Sequence, residues 1–320
     1  MTRRAPPEGG DGPRLLVAIP HYVGPPAAGA AHYGSVLPGA AAARARALER
    51  TIAGLRENLG PRQARIEGRI RRRSAIETPH GTLEGASTVV FRQANLPALP
   101  ARFDIVVVTI PGRNALDLLD LPRDWFEVLE VPLDRLGGDP RMLGFACHEA
   151  LAARAAGYDW FGYLEDDVAI ADGWFLRKVA LIESQTNGAA VLLPNRFERR
   201  PGRHIDKLYI DGPLADGYTA TWQDIAVDRG LRVAYLDGAV ILERPANPHA
   251  GCFFISASQL ARWRAQPWFG DRDTSFQGPL ESAATLGIMR TFRIYKPALR
   301  HASFLEAEHL NNRDWLGLEE

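Results

Sequence analysis

The sequence predicts an α/β fold in which helices cover both faces of a mixed, mostly parallel sheet. Two observations predict it: short continuous apolar runs, typical of strands buried on both faces, alternate with segments of helical periodicity, and 320 residues are enough to bury a large core. Such alternation is the pattern of a parallel, Rossmann-like sheet. We expect one domain over residues 14–305, preceded by a disordered tail at 1–13 and followed by a C-terminal extension at 306–320.

The first half of the chain supplies four predicted strands and two predicted helices. Residues 40–59 repeat leucine or isoleucine at spacings of four, three and four, which makes one apolar helix face, and Gly60 ends it. A second helix is predicted at 141–156, with Gly157 just past its end. Short apolar or β-branched runs predict strands at 15–19, 87–91, 103–109 and 160–164.

The second half continues the alternation with shorter elements. Its predicted helices lie at 173–183 and 279–287, and residues 194–217 are polar and read as irregular. Predicted strands lie at 189–193, 231–235, 239–242, 251–256 and 292–296.

Composition excludes several classes of protein. Lys plus Arg and Asp plus Glu both number 38, so no overall field attracts nucleic acid, and the basic run at 62–73 is either a solvated edge or a patch for an anionic acceptor. No apolar run is long enough for a transmembrane segment, so we expect a soluble, cytoplasmic protein. Two cysteines make neither a disulfide framework nor a zinc site, and Cys147 lies on a helical stripe that predicts buried packing.

Three consecutive acids follow the aromatic strand at 160–164. Glu165, Asp166 and Asp167 stand where ligands of open α/β sheets gather, beyond the carboxyl end of a strand. If strand geometry continues, Glu165 and Asp167 share one face. Adjacent carboxylates repel unless they are protonated, solvated or bridged by a cation. The oxygen ligands suit Mg²⁺ or Mn²⁺ holding a diphosphate, whereas the alternative is capping of a strand or helix end.

The acidic strand end, together with the Val-rich strand and the helix that precede it, resembles glycosyltransferases of the A-type fold. In that family the motif Asp-x-Asp binds a divalent metal that grips the diphosphate of a nucleotide sugar. Here Leu164-Glu165-Asp166-Asp167 matches the motif with Glu in its first position. The resemblance implies that Glu165 and Asp167 hold Mn²⁺ or Mg²⁺ and that Asp166 lies against the donor. Residues 14–170 would then form the nucleotide-binding half and 171–305 the acceptor half.

The same resemblance implies roles for residues outside the motif. Gly251, leading a buried strand, would let the backbone approach the donor sugar, although a simple turn has the same pattern. Glu281, in the first turn of a short helix, would be the catalytic base of an inverting enzyme, or would only complement the helix dipole. His301, after the last strand, would be a third metal ligand, ahead of the weaker candidates His309 and His21, or would have only a packing or surface role.

Three further residues are expected to contact the donor nucleotide. Lys296 would add positive charge against the leaving diphosphate. Tyr22 would stack on the base and Arg46 would reach a phosphate, unless these two side chains only pack or are solvated.

These residues together predict a metal-dependent glycosyltransferase that moves a sugar from a nucleotide-sugar donor to a carbohydrate or another hydroxyl acceptor, with inversion. Two alternatives remain. A sugar-phosphate nucleotidyltransferase uses a similar sheet but needs a Gly-rich phosphate loop, where this chain has Pro20 and His21. A non-catalytic carbohydrate-binding protein could use the same scaffold.

Overall fold

The computed structural model describes residues 12–25, 34–60, 102–199, 207–235 and 238–310, and the backbone of four short strands between residues 65 and 93. The α-helices of this part are α1 (Ala40–Leu59), α2 (Leu143–Ala153), α3 (Phe175–Gln185), α4 (Ala257–Arg264) and α5 (Pro279–Thr291). Its strands are β1 (Arg14–His21), β2 (Arg65–Glu67), β3 (Ser74–Thr78), β4 (Gly81–Gly85), β5 (Phe91–Gln93), β6 (Arg102–Thr109), β7 (Glu127–Glu130), β8 (Trp160–Leu164), β9 (Val168–Ala169), β10 (Ala190–Leu192), β11 (Asn195–Arg199), β12 (Lys207–Tyr209), β13 (Gly230–Tyr235), β14 (Gly238–Glu243), β15 (Cys252–Ser256), β16 (Arg293–Pro297) and β17 (Glu306–His309).

The central sheet has the order β15-β8-β1-β6-β7, and all its strands except β15 run parallel. β1 is the middle strand, and Leu15 pairs with both Phe103 and Trp160. The α/β class and the parallel-rich sheet flanked by helices are thus confirmed. Because β1, β6 and β8 are parallel, their carboxyl ends share one edge of the sheet, and that edge carries His21 and Glu165.

The core consists of one apolar cluster on each face of this sheet. Alternate residues of β1 point to opposite faces, with Val17 in the cluster that holds α1 and α3, and Leu16 in the cluster that holds α2, α4 and α5. The apolar stripe of α1 is completely buried, and each leucine on it contributes about 2 kcal/mol of hydrophobic stabilisation. Cys147 and Cys252 are both buried and free.

Two four-stranded sheets extend the domain, with orders β10-β16-β14-β13 and β12-β11-β17-β9. In the second sheet, β17 lies between β11 and β9, and β9 begins directly after the acids at 165–167. Residues 306–309, which we assigned to a C-terminal extension, therefore form an inner strand of a sheet. No described helix combines the length and the apolar character that a membrane span requires.

Most predicted elements occur at the predicted positions, and the differences have physical reasons. The segment at 194–217 is not wholly irregular, because it contains β11 and β12. The sequence of β11, Asn-Arg-Phe-Glu-Arg, is polar because Arg196 and Glu198 make ion pairs on one face of the strand and Arg199 is exposed. α5 runs four residues further than predicted, to Thr291, and α4 was not predicted. Residues 1–11 of the tail, most of the basic run at 62–73, residues 86–90 and residues 311–320 lie outside the described residues.

Candidate functional site

The three acids lie in a turn at the carboxyl end of β8, not in a continued strand. The Val168 N–H donates to the Glu165 carbonyl at 3.1 Å, which closes the turn. Three other elements hold its backbone: the Gly251 carbonyl accepts from Glu165 N–H at 2.8 Å, Leu310 N–H donates to the Asp167 carbonyl at 2.8 Å, and Thr51 donates to the Asp166 carbonyl at 3.1 Å. The turn is therefore fixed by β15, β17 and α1 together, and we name it the acid turn (residues 165–168).

Asp166 is buried and bound by two side chains. His21, at the end of β1, lies with its Nδ1 2.5 Å from Asp166 Oδ2, while its Nε2 accepts the Ala115 N–H at 3.1 Å. That acceptor role leaves the proton of the neutral ring on Nδ1, which donates it to Asp166. Burial, and then the charge of Arg44, lower the pKa of His21 to about 3, so the ring is neutral at physiological pH.

Arg44 of α1 bridges two of the acids. Its Nη2 is paired with Asp166 Oδ1, and its Nη1 donates to Asp167 Oδ2 at 2.7 Å. Burial raises the pKa of Asp167, but the attraction of Arg44, His309 and Arg196 outweighs burial and lowers it to about 2. Asp167 is therefore ionised. Arg46, which we predicted to reach a phosphate, is exposed on another face of α1, and Arg44 is the arginine at the site.

Glu165 lies against Gly251 and has no close cationic partner among the described residues. Its nearest ion-pair contact is His249 Nε2, 3.9 Å from Oε1, and its side chain is 18% exposed. Burial, and then repulsion from Asp167 and Glu281, raise the pKa of Glu165 to about 7, against a weaker opposing effect of Arg196. The site thus carries negative charge that its own arginines do not fully compensate.

Gly251 was predicted to let the backbone approach the donor sugar, and in the structure the side chains of Glu165 and Val168 approach it closely. Its φ is +62°, in the left-handed region, and a β-carbon there would lie 2.7 Å from Glu165 Oε2 and 2.9 Å from Val168 Cγ2. The following residues of β15 pair with β8, so Cys252 lies opposite Leu164. This pairing places Gly251 directly beside the acid turn.

Strand β11 adds a second group of charged residues. Arg196 and Glu198 are two residues apart on one face of the strand, and Phe197 between them is buried. Arg196 Nε donates to Asp211 Oδ1 at 2.8 Å, and Lys296 Nζ lies 2.7 Å from Asp211 Oδ2. Lys296 is therefore held in a buried ion pair.

His309, and not His301, is the histidine near Asp167. Its Nε2 lies 3.8 Å from Asp167 Oδ2, and its Nδ1 is 2.7 Å from Glu198 Oε1. Burial lowers the pKa of His309, but the hydrogen bond to Glu198 and the attraction of Asp167 outweigh it and raise the pKa. The structure does not bring His301 to the acid turn: its Nδ1 accepts the Ile241 N–H of β14 at 2.7 Å.

Glu281 lies in the first turn of α5, where we expected it, and is partly buried. Burial and the charge of Asp167 are the main causes of the raised pKa of Glu165, and the charge of Glu281 adds to them. α5 is fixed from behind by α2, where buried His148 lies 2.9 Å from the Ala283 carbonyl, two residues after Glu281. Tyr22 follows β1 and is partly buried against the core cluster that holds α2.

The acid turn keeps oxygen atoms available for a cation. From the described residues, neither Glu165 nor Oδ1 of Asp167 accepts a hydrogen bond, whereas both oxygens of Asp166 are taken by His21 and Arg44. No group of three or more His, Cys, Asp or Glu side chains in this part of the chain could by itself hold a metal ion. These donors fit a hard cation such as Mg²⁺, which is commonly bound by one or two carboxylates, water and substrate phosphates.

Comparison with known proteins gives only distant likenesses. No protein-family model and no curated protein matches the sequence. Among solved structures, S. aureus TarS is similar with a TM-score of 0.40 and 11% identity over 88% of this chain. Residues 1–349 of TarS give a TM-score of 0.39 with 10% identity over 88% of this chain, and their complex with UDP-GlcNAc gives 0.38 with 11% identity over 94%. This chain spans 35%, 57% and 61% of those three TarS chains.

Four residues of the site were not singled out from the sequence, and three of them had a readable signal. Arg44 precedes Leu48 by four residues and so extends the buried stripe of α1, whereas Arg46 does not. Arg196 and Glu198 alternate with buried Phe197, which is a strand pattern. The fourth residue, Asp211, reaches the site through a loop, which the local sequence does not reveal. His309, a weaker candidate than His301 from the sequence, reaches the site because β17 pairs with β9.

Proposed function

We propose that this chain is a glycosyltransferase that moves a sugar from a nucleotide-sugar donor to a hydroxyl acceptor. The observation that carries the proposal is the acid turn at the shared carboxyl edge of β1, β6 and β8, which is where open α/β sheets bind their ligands. Burial, and then the charge of Asp167, raise the pKa of Glu165, and no cation among the described residues lies closer to it than His249 Nε2 at 3.9 Å. A site of this kind suits a cation that accompanies an anionic donor.

In this proposal Glu165 and Asp167 hold Mg²⁺ or Mn²⁺ through the oxygens that accept no hydrogen bond from the described residues. When bound, the cation supplies positive charge to the diphosphate. Asp166 has another task, because His21 and Arg44 occupy both of its oxygens. It holds Arg44 in place, and Arg44 in turn orients Asp167 toward the donor. The absence of Cβ at Gly251 leaves room for Glu165.

Glu281 is the proposed general base. It accepts the proton of the acceptor hydroxyl, the hydroxyl oxygen forms a bond to the anomeric carbon, and the bond from that carbon to the diphosphate oxygen breaks. The position of Glu281 in the first turn of α5, from which its charge reaches Glu165, supports this role. A base that acts directly on the acceptor implies inversion of the anomeric centre.

Thermal-shift measurement of the full chain with a panel of nucleotide sugars, with and without Mn²⁺, tests donor binding. A donor that binds only the native state raises Tm by an amount that grows with its affinity, and we expect one donor to do so in a Mn²⁺-dependent manner. Asp167→Asn should abolish that rise, and Asp117→Asn, which changes a fully exposed carboxylate, should not. A panel in which no nucleotide sugar raises the Tm of the unmodified chain would refute the proposal.

Product stereochemistry tests the role of Glu281. With an active donor and acceptor pair, ¹H NMR of the fresh product should show the anomeric configuration opposite to that of the donor. A retained configuration would remove Glu281 as the base and leave donor binding unaffected.

A further inference from the structure

A buried group of three charged residues lies next to the acid turn. Asp211 accepts from Arg196 through the backbone N–H at 2.9 Å and through Nε at 2.8 Å, and it also contacts Lys296 Nζ at 2.7 Å. The side chains of Asp211 and Lys296 are each 4% exposed, and that of Arg196 is 12% exposed. The group therefore has one carboxylate shared by two cations, and its net charge is positive.

The two cations of this group, Lys296 and Arg196, differ in how many of their donor groups remain without a hydrogen-bond partner. Lys296 Nζ donates to Asp211 and to the His249 carbonyl at 2.5 Å, so its charge is directed into the fold. Arg196 uses Nε and its backbone N–H, and neither of its Nη groups donates to a described residue. Neither Nη is fully enclosed, because neither is among the side-chain nitrogens that are both buried and without a hydrogen-bond partner. The guanidinium fork of Arg196 is thus held at one side and open at the other.

Strand pairing places Arg196 beside the acid turn. β11 pairs with β17, β17 pairs with β9, and β9 begins directly after the acids. Glu198, which shares one face of β11 with Arg196, contacts His309, and His309 lies beside Asp167. The free Nη groups of Arg196 therefore belong to the strand face that is turned toward His309 and Asp167.

We propose that the two Nη groups of Arg196 bind the diphosphate of the donor, and that Asp211 and Lys296 position the guanidinium. The inference rests on the proposed function. A guanidinium fork matches phosphate oxygens in a bidentate manner, and a fork fixed at Nε keeps the Nη pair directed at the ligand. Lys296, which we predicted from the sequence to contact the diphosphate, instead compensates the charge of Asp211, so that Arg196 keeps its positive charge for the ligand.

Calorimetric titration with inorganic pyrophosphate, in Mn²⁺ and in EDTA, tests this site. Loss of one charge-assisted, bidentate contact should weaken binding by about 10- to 100-fold. We expect that loss in Arg196→Lys, which keeps the charge and a partner for Asp211 but lacks the fork. Arg264→Ala, which removes an exposed arginine of α4, is the control and should bind pyrophosphate normally.

Asp211→Asn separates orientation from charge. The substitution makes the site more positive, so a purely electrostatic site would bind pyrophosphate more tightly, whereas a positioned fork predicts weaker binding. Circular dichroism of each variant establishes that it is folded. Unchanged pyrophosphate affinity in Arg196→Lys, or tighter binding in Asp211→Asn, would refute the role of Arg196 and leave the proposed function standing.

Failure of the proposed function can be distinguished from failure of the anion site. Pyrophosphate binding that depends on Arg196, without any effect of nucleotide sugars on Tm, would keep the anion site and refute the glycosyltransferase. Absence of pyrophosphate binding by the unmodified chain would refute the anion site, while sugar transfer can still be measured separately.

Discussion

The carboxylate of Glu165 occupies the space that a side chain on residue 251 would need: Oε2 is 2.7 Å from the position of a β-carbon on Gly251. The relationship joins two segments that are far apart in sequence, and backbone pairing fixes it, because Glu165 N–H donates to the Gly251 carbonyl at 2.8 Å. The glycine is therefore required both by its left-handed φ of +62° and by the acid beside it.

Gly251→Ala should impair donor binding more than stability. The left-handed conformation costs a non-glycine residue about 1–2 kcal/mol, and the new methyl group forces the flexible Glu165 side chain away from its position. We expect a lower free energy of unfolding by that amount in urea titrations, and loss of the donor-dependent rise in Tm. Gly217→Ala has a similar φ of +76° and nothing within 4 Å, so it controls for backbone strain alone. Equal donor binding in both variants would contradict the contact with Glu165.

Arg44→Ala should destabilise the fold, because it leaves Asp166 and Asp167 without the cation that they share. Removing one partner of a buried ion pair costs about 3 kcal/mol, which urea unfolding at pH 7 measures. Arg46→Ala, two residues along α1, removes an exposed arginine and should change the unfolding free energy by less than about 0.5 kcal/mol. Similar losses in the two variants would show that the pairing with the acid turn does not stabilise the fold.

His148 should make stability fall in mild acid. Its ring packs edge-on against Trp263 with centroids 4.9 Å apart, and burial lowers its pKa to about 4, despite the opposing hydrogen bond to Ala283. Since the folded pKa lies below the unfolded value of about 6.5, the unfolded chain takes up the proton first. The contribution of His148 is therefore complete above pH 6.5 and is lost as the pH falls toward 4.

Urea titrations of His148→Phe between pH 7 and pH 4 check this. The loss of stability in the unmodified chain should exceed that in the variant by about 3 kcal/mol, since the variant has no proton to take up there. Parallel pH profiles would mean that the ring has the same pKa in the folded and in the unfolded chain. His21, whose pKa is also lowered, takes up its proton in both proteins, so its effect on the loss of stability in acid cancels in the comparison.

His309→Ala and His301→Ala distinguish the histidine at the acid turn from the one that only packs. His309→Ala leaves Glu198 as a buried, unpaired carboxylate, which should cost about 3 kcal/mol. His301→Ala removes one acceptor from the Ile241 N–H and should cost about 1 kcal/mol. Only His309→Ala should alter the Mn²⁺-dependent rise in Tm with a donor. A reversal of that pattern would return His301 to the site.

Glu281→Gln should remove catalysis and keep donor binding. A general base contributes about 10²- to 10⁴-fold to the rate, and the amide keeps the size of the side chain. We expect kcat to fall by that factor with little change in the KM for the donor. Retention of more than a tenth of kcat would mean that another group accepts the proton.

The parts of the fold that could be predicted are those in which local pattern and tertiary environment agree. α1 has its predicted limits because one apolar stripe decides which face is buried, and β1 has its predicted core because every residue from Leu15 to Ile19 is enclosed. The position of the three acids at the carboxyl end of a central parallel strand was also predicted, since the apolar, aromatic run that precedes them is typical of a buried strand. What failed there was local geometry: a turn, and not an extended strand, carries the acids.

The partners of those acids could not be predicted because helix packing and strand pairing bring them to the acids from distant parts of the sequence. Arg44 differs from Arg46 only by its angle around the axis of α1, and His309 reaches Asp167 because β17 pairs with β9. His301 and His309 both follow β16, and only the pairing of β17 decides which one comes to the site. Lys296 was predicted to contact the donor because it stands at the end of the last predicted strand. It instead pairs with Asp211, which lies in a segment that was predicted to be irregular.

The place of β17 between β11 and β9 has a consequence for the order of assembly during synthesis. β11 and β9 leave the ribosome more than a hundred residues before the strand that joins them, and Leu310 supplies the N–H that Asp167 accepts. A nascent chain can form its central sheet early, as N-terminal parts of domains do, yet its acid turn lacks the hydrogen bond from Leu310 until that residue has been synthesised. The charged site therefore cannot be complete before the strand that precedes Leu310 is in place.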